Sequence, residues 1–115
     1  MTKRKKDFNI DEAIDMYNKI PQGEENAIKR KELSQSLNIE NRTARDYRHW
    51  LRENDCLVMN SDKGIFRANT DKDKAIREIE RYIKHNQSYI VNTQANITAA
   101  KKELNKLYSL NQEVL

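Results

Sequence analysis

The chain has 115 residues, enough for one folded domain with an appendage but too few for two separate hydrophobic cores. Charged residues make up 35% of it and only two Gly and one Pro are present, which indicates a mainly helical, soluble protein. Twenty-two basic and eighteen acidic residues give a net charge of +4, which permits a polyanionic partner without requiring one. The single cysteine, Cys56, excludes an intrachain disulfide and a zinc site of several cysteines, so a reducing, intracellular setting is expected.

The sequence carries no signature of export, membrane insertion or catalysis. Its basic start, "MTKRKK", leads into an acidic stretch, and no window is apolar enough to span a membrane. It has no Gly-rich phosphate loop and no Cys/His pair, and His49 and His85 each lack a second ligand nearby. We therefore expect a cytoplasmic protein with no membrane contact, no enzymatic activity, no metal and no cofactor.

A first helix is predicted over residues 11–20. Asn9 is its N-cap, with Glu12 three residues later, and Pro21 with Gly23 ends it. The helical spacing of its apolar residues predicts a buried stripe formed by Ala13, Ile14 and Tyr17.

A second helix is predicted over residues 30–37, after the polar stretch "PQGEEN". Ile28 precedes it as a short extended segment. Leu33 and Leu37 lie four residues apart, which places both on the face that is directed to the core.

A third helix begins near Asn41 and ends at "END", where Asn54 or Asp55 can adopt the left-handed conformation that Gly usually supplies. On a helical wheel its buried face consists of Ala44, Tyr47 and Leu51. Arg48 and Arg52 flank that face, and the opposite face is mostly cationic.

The second and third helices together have the spacing of a helix-turn-helix, with Ser34 for close helix contact, Asn38 in the turn and Ile39 closing it. Such a unit places its second helix in the major groove of DNA. Residues that this interpretation assigns to base contacts are Asn41, Arg42, Thr43, Arg45, Asp46 and His49. Residues that it assigns to backbone phosphates are Lys29, Arg30, Lys31, Arg48 and Arg52. Residues 28–52 hold seven basic and three acidic residues, so their net charge of +4 equals that of the whole chain.

A hairpin is predicted next, from strands at residues 57–60 and 65–68 joined by a tight turn with Gly64 at a positive φ. The stretch "RKELSQSLNIENRTARDYRHWLRENDCLVMNSDKGIFRAN" resembles small winged helix-turn-helix proteins of bacterial phages and related mobile elements. The resemblance covers residues 11–70, although Asp55 stands where that family usually has Gly. It implies that Lys63 and Arg67 on the wing lie near the DNA backbone or minor groove. The "KRKK" arm is a solubilising tail or reaches an adjacent minor groove.

A long helix is predicted from Thr70, its N-cap, because no Gly or Pro follows to the end of the chain. Its apolar residues repeat every heptad, with polar or small residues in the middle d layers. The predicted oligomer seam contains Ile76, Ile79, Ile83, Ile90, Ile97, Leu104 and Leu107. Two alternatives remain open: a continuous helix that associates with a second copy, which is favoured, or a helix that breaks at residues 86–88 and folds back.

The predicted fold is therefore mainly α: a winged helix-turn-helix of three helices and a two-stranded β-hairpin, followed by one long coiled-coil-like helix. Its predicted segments are a basic disordered arm (1–8), the winged helix-turn-helix domain (9–69) and the oligomerisation helix (70–115). The expected function is sequence-specific binding of double-stranded DNA by a homodimer in a bacterial host cell, in transcriptional regulation, replication or excision. The alternative is a protein that binds a host protein through the winged helix and coiled coil, with weak or no DNA binding.

Overall fold

The computed structural model describes residues 8–114 of the chain and, among these, the side chains of residues 8–110. This part is mainly helical, with a two-stranded antiparallel hairpin. A first compact unit ends at Tyr82, and Ile83 begins a second unit. The prediction for the "KRKK" arm falls on residues 3–6, outside the described residues.

Helix α1 spans Ile10–Lys19. The side chain of Asn9 accepts a hydrogen bond from the backbone N–H of Glu12 at 3.2 Å, which confirms the predicted N-cap. At the other end Ile20 is extended, and its N–H still bonds to carbonyls of the last turn. The helix therefore stops one residue earlier than predicted, just before Pro21, which restricts the residue preceding it.

The predicted buried stripe of α1 was wrong in part. Ala13, Met16 and Ile20 are fully buried, whereas Ile14 is 44% exposed and Tyr17 is half-buried. Spacing of three and four residues keeps side chains on one helix face, while Ile14 lies about 100° around the helix from Ala13. The unbranched Met16, which the apolar pattern did not select, occupies the core position instead.

Helices α2, Arg30–Ser36, and α3, Asn41–Glu53, follow the predicted order. The turn between them contains Asn38 with φ +55°, and Asp55 after α3 has φ +65°. Both residues thus adopt the left-handed conformation, which Asn and Asp tolerate better than most side chains. The turn at Asn38 lets α3 pack against α2, and α3 also packs against α1.

One hydrophobic core unites these helices with the hairpin. Its buried members are Ala13, Met16, Ile20, Leu33, Ala44, Tyr47, Leu51, Val58 and Ile65. Phe8, predicted to belong to a disordered arm, packs on this core instead, with its ring edge-on to Tyr47 at a centroid distance of 5.2 Å and near Trp50 at 6.0 Å. The Tyr47 hydroxyl donates to the Glu12 carboxylate, so this buried aromatic residue has a polar partner.

Strands β1, Met59–Ser61, and β2, Gly64–Phe66, pair in antiparallel register with Ser61 opposite Gly64. They are shorter than predicted and lie closer to the turn, because beyond Phe66 the backbone pairs with a different segment. The N–H of Arg67 donates to the Pro21 carbonyl at 2.7 Å. The chain between α1 and α2 thus completes the hairpin on its outer side.

Ile28 is the second point at which that segment meets the hairpin. Its N–H and carbonyl form both hydrogen bonds of an antiparallel bridge with Ile65, at 3.0 and 2.7 Å. Gly64 precedes this contact with φ +130°, and a Cβ there would lie 2.4 Å from the Ile28 carbonyl oxygen. Both the backbone conformation and the close approach therefore require glycine.

Helix α4 is continuous over Lys72–Val114, so the alternative of a break at residues 86–88 was wrong. Its N-cap is Asp71, not Thr70 as predicted, since the Asp71 carboxylate accepts the Lys74 N–H at 3.0 Å. Within the described residues no helix is long and apolar enough to cross a membrane.

The first turns of α4 belong to the first compact unit. Glu78 is only 6% exposed, and its carboxylate accepts the N–H groups of Glu24 at 2.8 Å and Asn69 at 3.0 Å. Arg81 reaches the carboxylate of the same Glu24 at 3.1 Å. These polar contacts explain why the folded unit extends to Tyr82, beyond the boundary predicted at residue 70.

In the second unit, the side chains of residues 83–110 are all exposed. Six of the seven predicted seam residues along α4 are also exposed, by 42% to 66%: Ile76, Ile83, Ile90, Ile97, Leu104 and Leu107. Ile79 is half-buried.

Candidate nucleic-acid interface

Helices α2 and α3 form a concave, strongly cationic surface, the basic groove. Its lining residues are Arg30, Lys31 and Ser34 of α2 with Asn41, Arg42, Arg45 and Arg48 of α3. Five of these side chains are cationic and none is acidic. The groove therefore offers guanidinium and ammonium donors to an anion without a competing carboxylate among its lining residues.

The geometry of the basic groove follows from the core beneath it. Leu33 of α2 and Ala44 of α3 are fully buried, which fixes the rotation of both helices. Ser34 is also buried, and its hydroxyl donates to the Arg30 carbonyl at 3.0 Å, so a small side chain lies where the helices meet. These buried residues therefore determine which side chains of α2 and α3 line the groove.

Arg48 is the most buried of the five cationic residues of the groove. It is only 7% exposed, and its Nη1 atom is buried without a hydrogen-bond partner. Burial, followed by repulsion from Arg52, Arg30 and Arg45, lowers the pKa of Arg48 from its usual value to about 10. The prediction that Arg48 merely flanks the buried face was wrong. Its spacing from Ala44, four residues, is that of a core position and was the signal available in the sequence.

The structure brings together only some of the residues predicted to contact bases. Asn41, Arg42 and Arg45 line the basic groove and are exposed. The others lie outside that lining: Thr43 is half-buried, and Asp46 and His49 are exposed on the outer side of α3. His49 lies 3.4 Å from the Glu53 carboxylate, one turn later on the same helix.

Of the residues predicted to contact phosphates, Arg30 and Lys31 lie in the basic groove. Lys63 is exposed in the hairpin turn, where a cation is free to meet a ligand. Lys29 instead donates its Nζ to the Asp62 carbonyl at 2.9 Å, which ties the start of α2 to that turn.

Arg52 and Arg67 also form hydrogen bonds that support the fold. Arg52 Nε donates to the Val58 carbonyl at 2.8 Å. Arg67 Nε donates to the Ile20 carbonyl at 2.7 Å, and its guanidinium carbon lies 4.9 Å from the centre of the Tyr17 ring. Arg67 thereby joins residues 47 positions apart, whereas Arg52 reaches a carbonyl six positions later. The charge pattern alone did not distinguish these two arginines from the cations of the basic groove.

The part of the chain from Phe8 onward contains no group of three or more His, Cys, Asp or Glu residues arranged to hold a metal ion. No protein-family model, curated protein or solved structure matches this chain. The physical character of its surfaces is therefore the basis for assigning a function.

Proposed function

We propose that this chain is a sequence-specific DNA-binding protein of winged helix-turn-helix type that associates through α4. The observation that carries the proposal is the basic groove, in which five cationic side chains from α2 and α3 converge without an acidic neighbour among the lining residues. A polyanion is the partner that such a surface attracts most strongly.

The local architecture supports this proposal. Asn38 forms a left-handed turn between two packed helices, as a helix-turn-helix requires. A hairpin follows α3, and Lys63 at its turn corresponds to the tip of a wing. The hydrogen bond from Lys29 to the Asp62 carbonyl holds this turn beside α2, so that both present cations to one ligand.

In the proposed complex the N-terminal half of α3 enters the major groove. Arg42 and Arg45 are exposed there, and their planar guanidinium groups can each donate two hydrogen bonds to guanine O6 and N7. Asn41 can form the corresponding pair of bonds with adenine. Arg30, Lys31 and Lys63 are left to contact phosphates, which orient the protein without reading sequence.

Association through α4 rests on its exposed apolar residues. Five of the six a positions from Ile76 to residue 111 carry Ile or Leu, and none of those five is buried within the chain. Covering such a seam with a second copy removes apolar surface from water, and the polar d position Asn86 limits the register in which two helices can pair.

Selection of bound fragments from random duplex DNA at about 0.15 M salt tests DNA binding, because non-specific phosphate attraction is already weakened there. We expect an enriched motif. A palindrome would indicate two adjacent α3 helices from a dimer, and a single half-site would indicate heads that bind separately. Absence of any enriched sequence would refute sequence-specific binding.

Substitutions then separate base contacts from phosphate contacts. Arg42→Ala and Arg45→Ala should each weaken binding to the selected motif by about 1–3 kcal/mol and relax base preference, whereas Lys31→Ala should weaken binding to all sequences alike. Lys101→Ala on α4 removes an exposed cation far along the chain from the groove residues and is the matched control. Equal losses on every sequence for the three groove variants would contradict the assignment of α3 to base recognition.

A second candidate function is supported by apolar residues outside the a and d positions of α4. Tyr89, Val91, Tyr108 and Leu110 are all more than half exposed. Such residues favour contact with a further protein. The tagged chain incubated with nuclease-treated host lysate would retain a stoichiometric protein if this function is correct, and would lose its partners if nucleic acid alone links them.

A further inference from the structure

We infer that the basic groove is a discrete site for one phosphate group, with the Arg48 guanidinium at its base. This inference deepens the proposed function, because a phosphate of the DNA backbone is one source of such a ligand. A free phosphate or pyrophosphate ion is the other source, and it requires no DNA.

The first argument is the unpartnered state of Arg48. Three other arginines in the first unit have partners for their guanidinium groups: Arg52 and Arg67 donate to backbone carbonyls, and Arg81 pairs with the Glu24 carboxylate. Arg48 is more buried than they are, yet its Nη1 has none. A buried cation without a partner is costly, and an anion in the groove would supply the missing charge.

The second argument is the surrounding charge. Arg30 and Arg45 lie close enough to Arg48 to depress its pKa, and Lys31 and Arg42 complete the lining of the groove. If repulsion were the only force between these cations, side chains as long as Arg and Lys could rotate away from one another into water. A site that holds several cations around one buried guanidinium is suited to a ligand with more than one negative charge.

The third argument concerns the backbone of α3. No capping side chain accepts hydrogen bonds from the first backbone N–H groups of this 13-residue helix. Asn41, the first residue of α3, also lines the groove. The positive end of the helix therefore lies beside the cationic side chains and adds to their attraction for an anion.

Phosphate fits these features better than a carboxylate does. Its tetrahedral oxygens can accept hydrogen bonds from several directions, and guanidinium groups bind two of them at once. The Ser34 hydroxyl already donates to the Arg30 carbonyl, so the donors available to the ligand are the charged side chains and the start of α3.

The test begins with the full chain and pyrophosphate, followed by amide chemical shifts in NMR at constant ionic strength, with sodium chloride as the reference. We expect saturable shifts concentrated at residues 30–34 and 41–48. Arg48→Gln should reduce pyrophosphate affinity at least about tenfold, as expected for the loss of a charged hydrogen-bond donor. Arg30→Ala, at an exposed position of the groove, should weaken it too, and Lys63→Ala outside the groove should not. Shifts equal to those produced by chloride would overturn the inference.

A second arm identifies the DNA-backbone source. Uncharged methylphosphonate is placed at each phosphate of the selected duplex in turn. For the wild-type chain one position per half-site should reduce affinity about tenfold, and the same position should have no effect on Arg48→Gln. Pyrophosphate binding without DNA binding would retain the site and refute the proposed function. If the chain binds DNA but does not bind pyrophosphate, and no methylphosphonate position depends on Arg48, the phosphate site is refuted while the proposed function stands.

Discussion

Replacing Arg48 by Met should increase the stability of the protein and weaken its binding of phosphate. Methionine is also long and unbranched, so it can fill the space beneath α2 and α3 without a charge or an unpaired donor. The buried, unpartnered Nη1 atom that now lies there would disappear. Such a gain in stability is not expected for a residue that is retained only for folding.

The magnitude follows from the pKa of Arg48, which burial and neighbouring arginines lower by more than two units, to about 10. At about 1.4 kcal/mol for each tenfold change in equilibrium, this depression corresponds to a cost of about 3 kcal/mol for the charged form. Relaxation of the surroundings and the 7% of the residue that still meets water reduce that cost. We therefore expect Arg48→Met to increase the free energy of unfolding by about 1–2 kcal/mol at neutral pH.

The pH dependence has a definite sign. A base whose folded-state pKa is depressed binds its proton more weakly in the folded state, so stability increases as pH rises above about 10. The cost of the charge is fully present below about pH 10. The advantage of Arg48→Met over the wild-type chain should consequently shrink above pH 10.

The assay is urea unfolding of the full chain, followed by the fluorescence of the single Trp, Trp50, which contacts Phe8 at the edge of the core. Measurements at several protein concentrations separate unfolding from dissociation. Arg48→Lys, which keeps the charge, is the control and should not gain stability. A loss of stability in Arg48→Met, with pyrophosphate binding retained, would refute the view that Arg48 is held as an unpaired ligand-binding cation.

Three further changes test other parts of the structure. Glu78→Gln should lower the free energy of unfolding by about 1–3 kcal/mol, since its carboxylate accepts two backbone N–H groups, whereas exposed Glu80→Gln should leave it nearly unchanged in the same urea assay. Gly64→Ala should destabilise the hairpin by more than about 1 kcal/mol, because its φ of +130° and the nearby Ile28 carbonyl exclude a Cβ; an unchanged thermal midpoint would contradict this. Ile90→Glu should weaken self-association at least about tenfold by sedimentation equilibrium, while Val91→Glu, at a residue that is equally 66% exposed but outside the seam, should have little effect. Equal effects of the two substitutions would refute the predicted heptad register.

The sequence by itself determined most of the local structure of this protein. The Asn9 cap, the turn at Asn38 and the positive φ of Gly64 were predicted correctly, and of the two candidates for the left-handed residue after α3, Asn54 and Asp55, the structure selects Asp55. Each depends on the conformational preference of one residue and on partners within a few positions of it. The uninterrupted helix from Lys72 was predictable for the same reason, because no Gly or Pro breaks it.

The roles of individual charges were decided by the tertiary structure. Glu78 joins α4 to a segment 54 residues earlier, and Arg67 reaches a carbonyl 47 residues away. The sequence around a charged residue does not indicate which distant backbone group that residue will bind. A helical period of apolar residues or an N-cap, in contrast, can be recognised from neighbouring positions. Arg48 combines both cases: its helical spacing places it on the buried face, but only the packing of α2 against α3 leaves it buried, unpaired and surrounded by other cations.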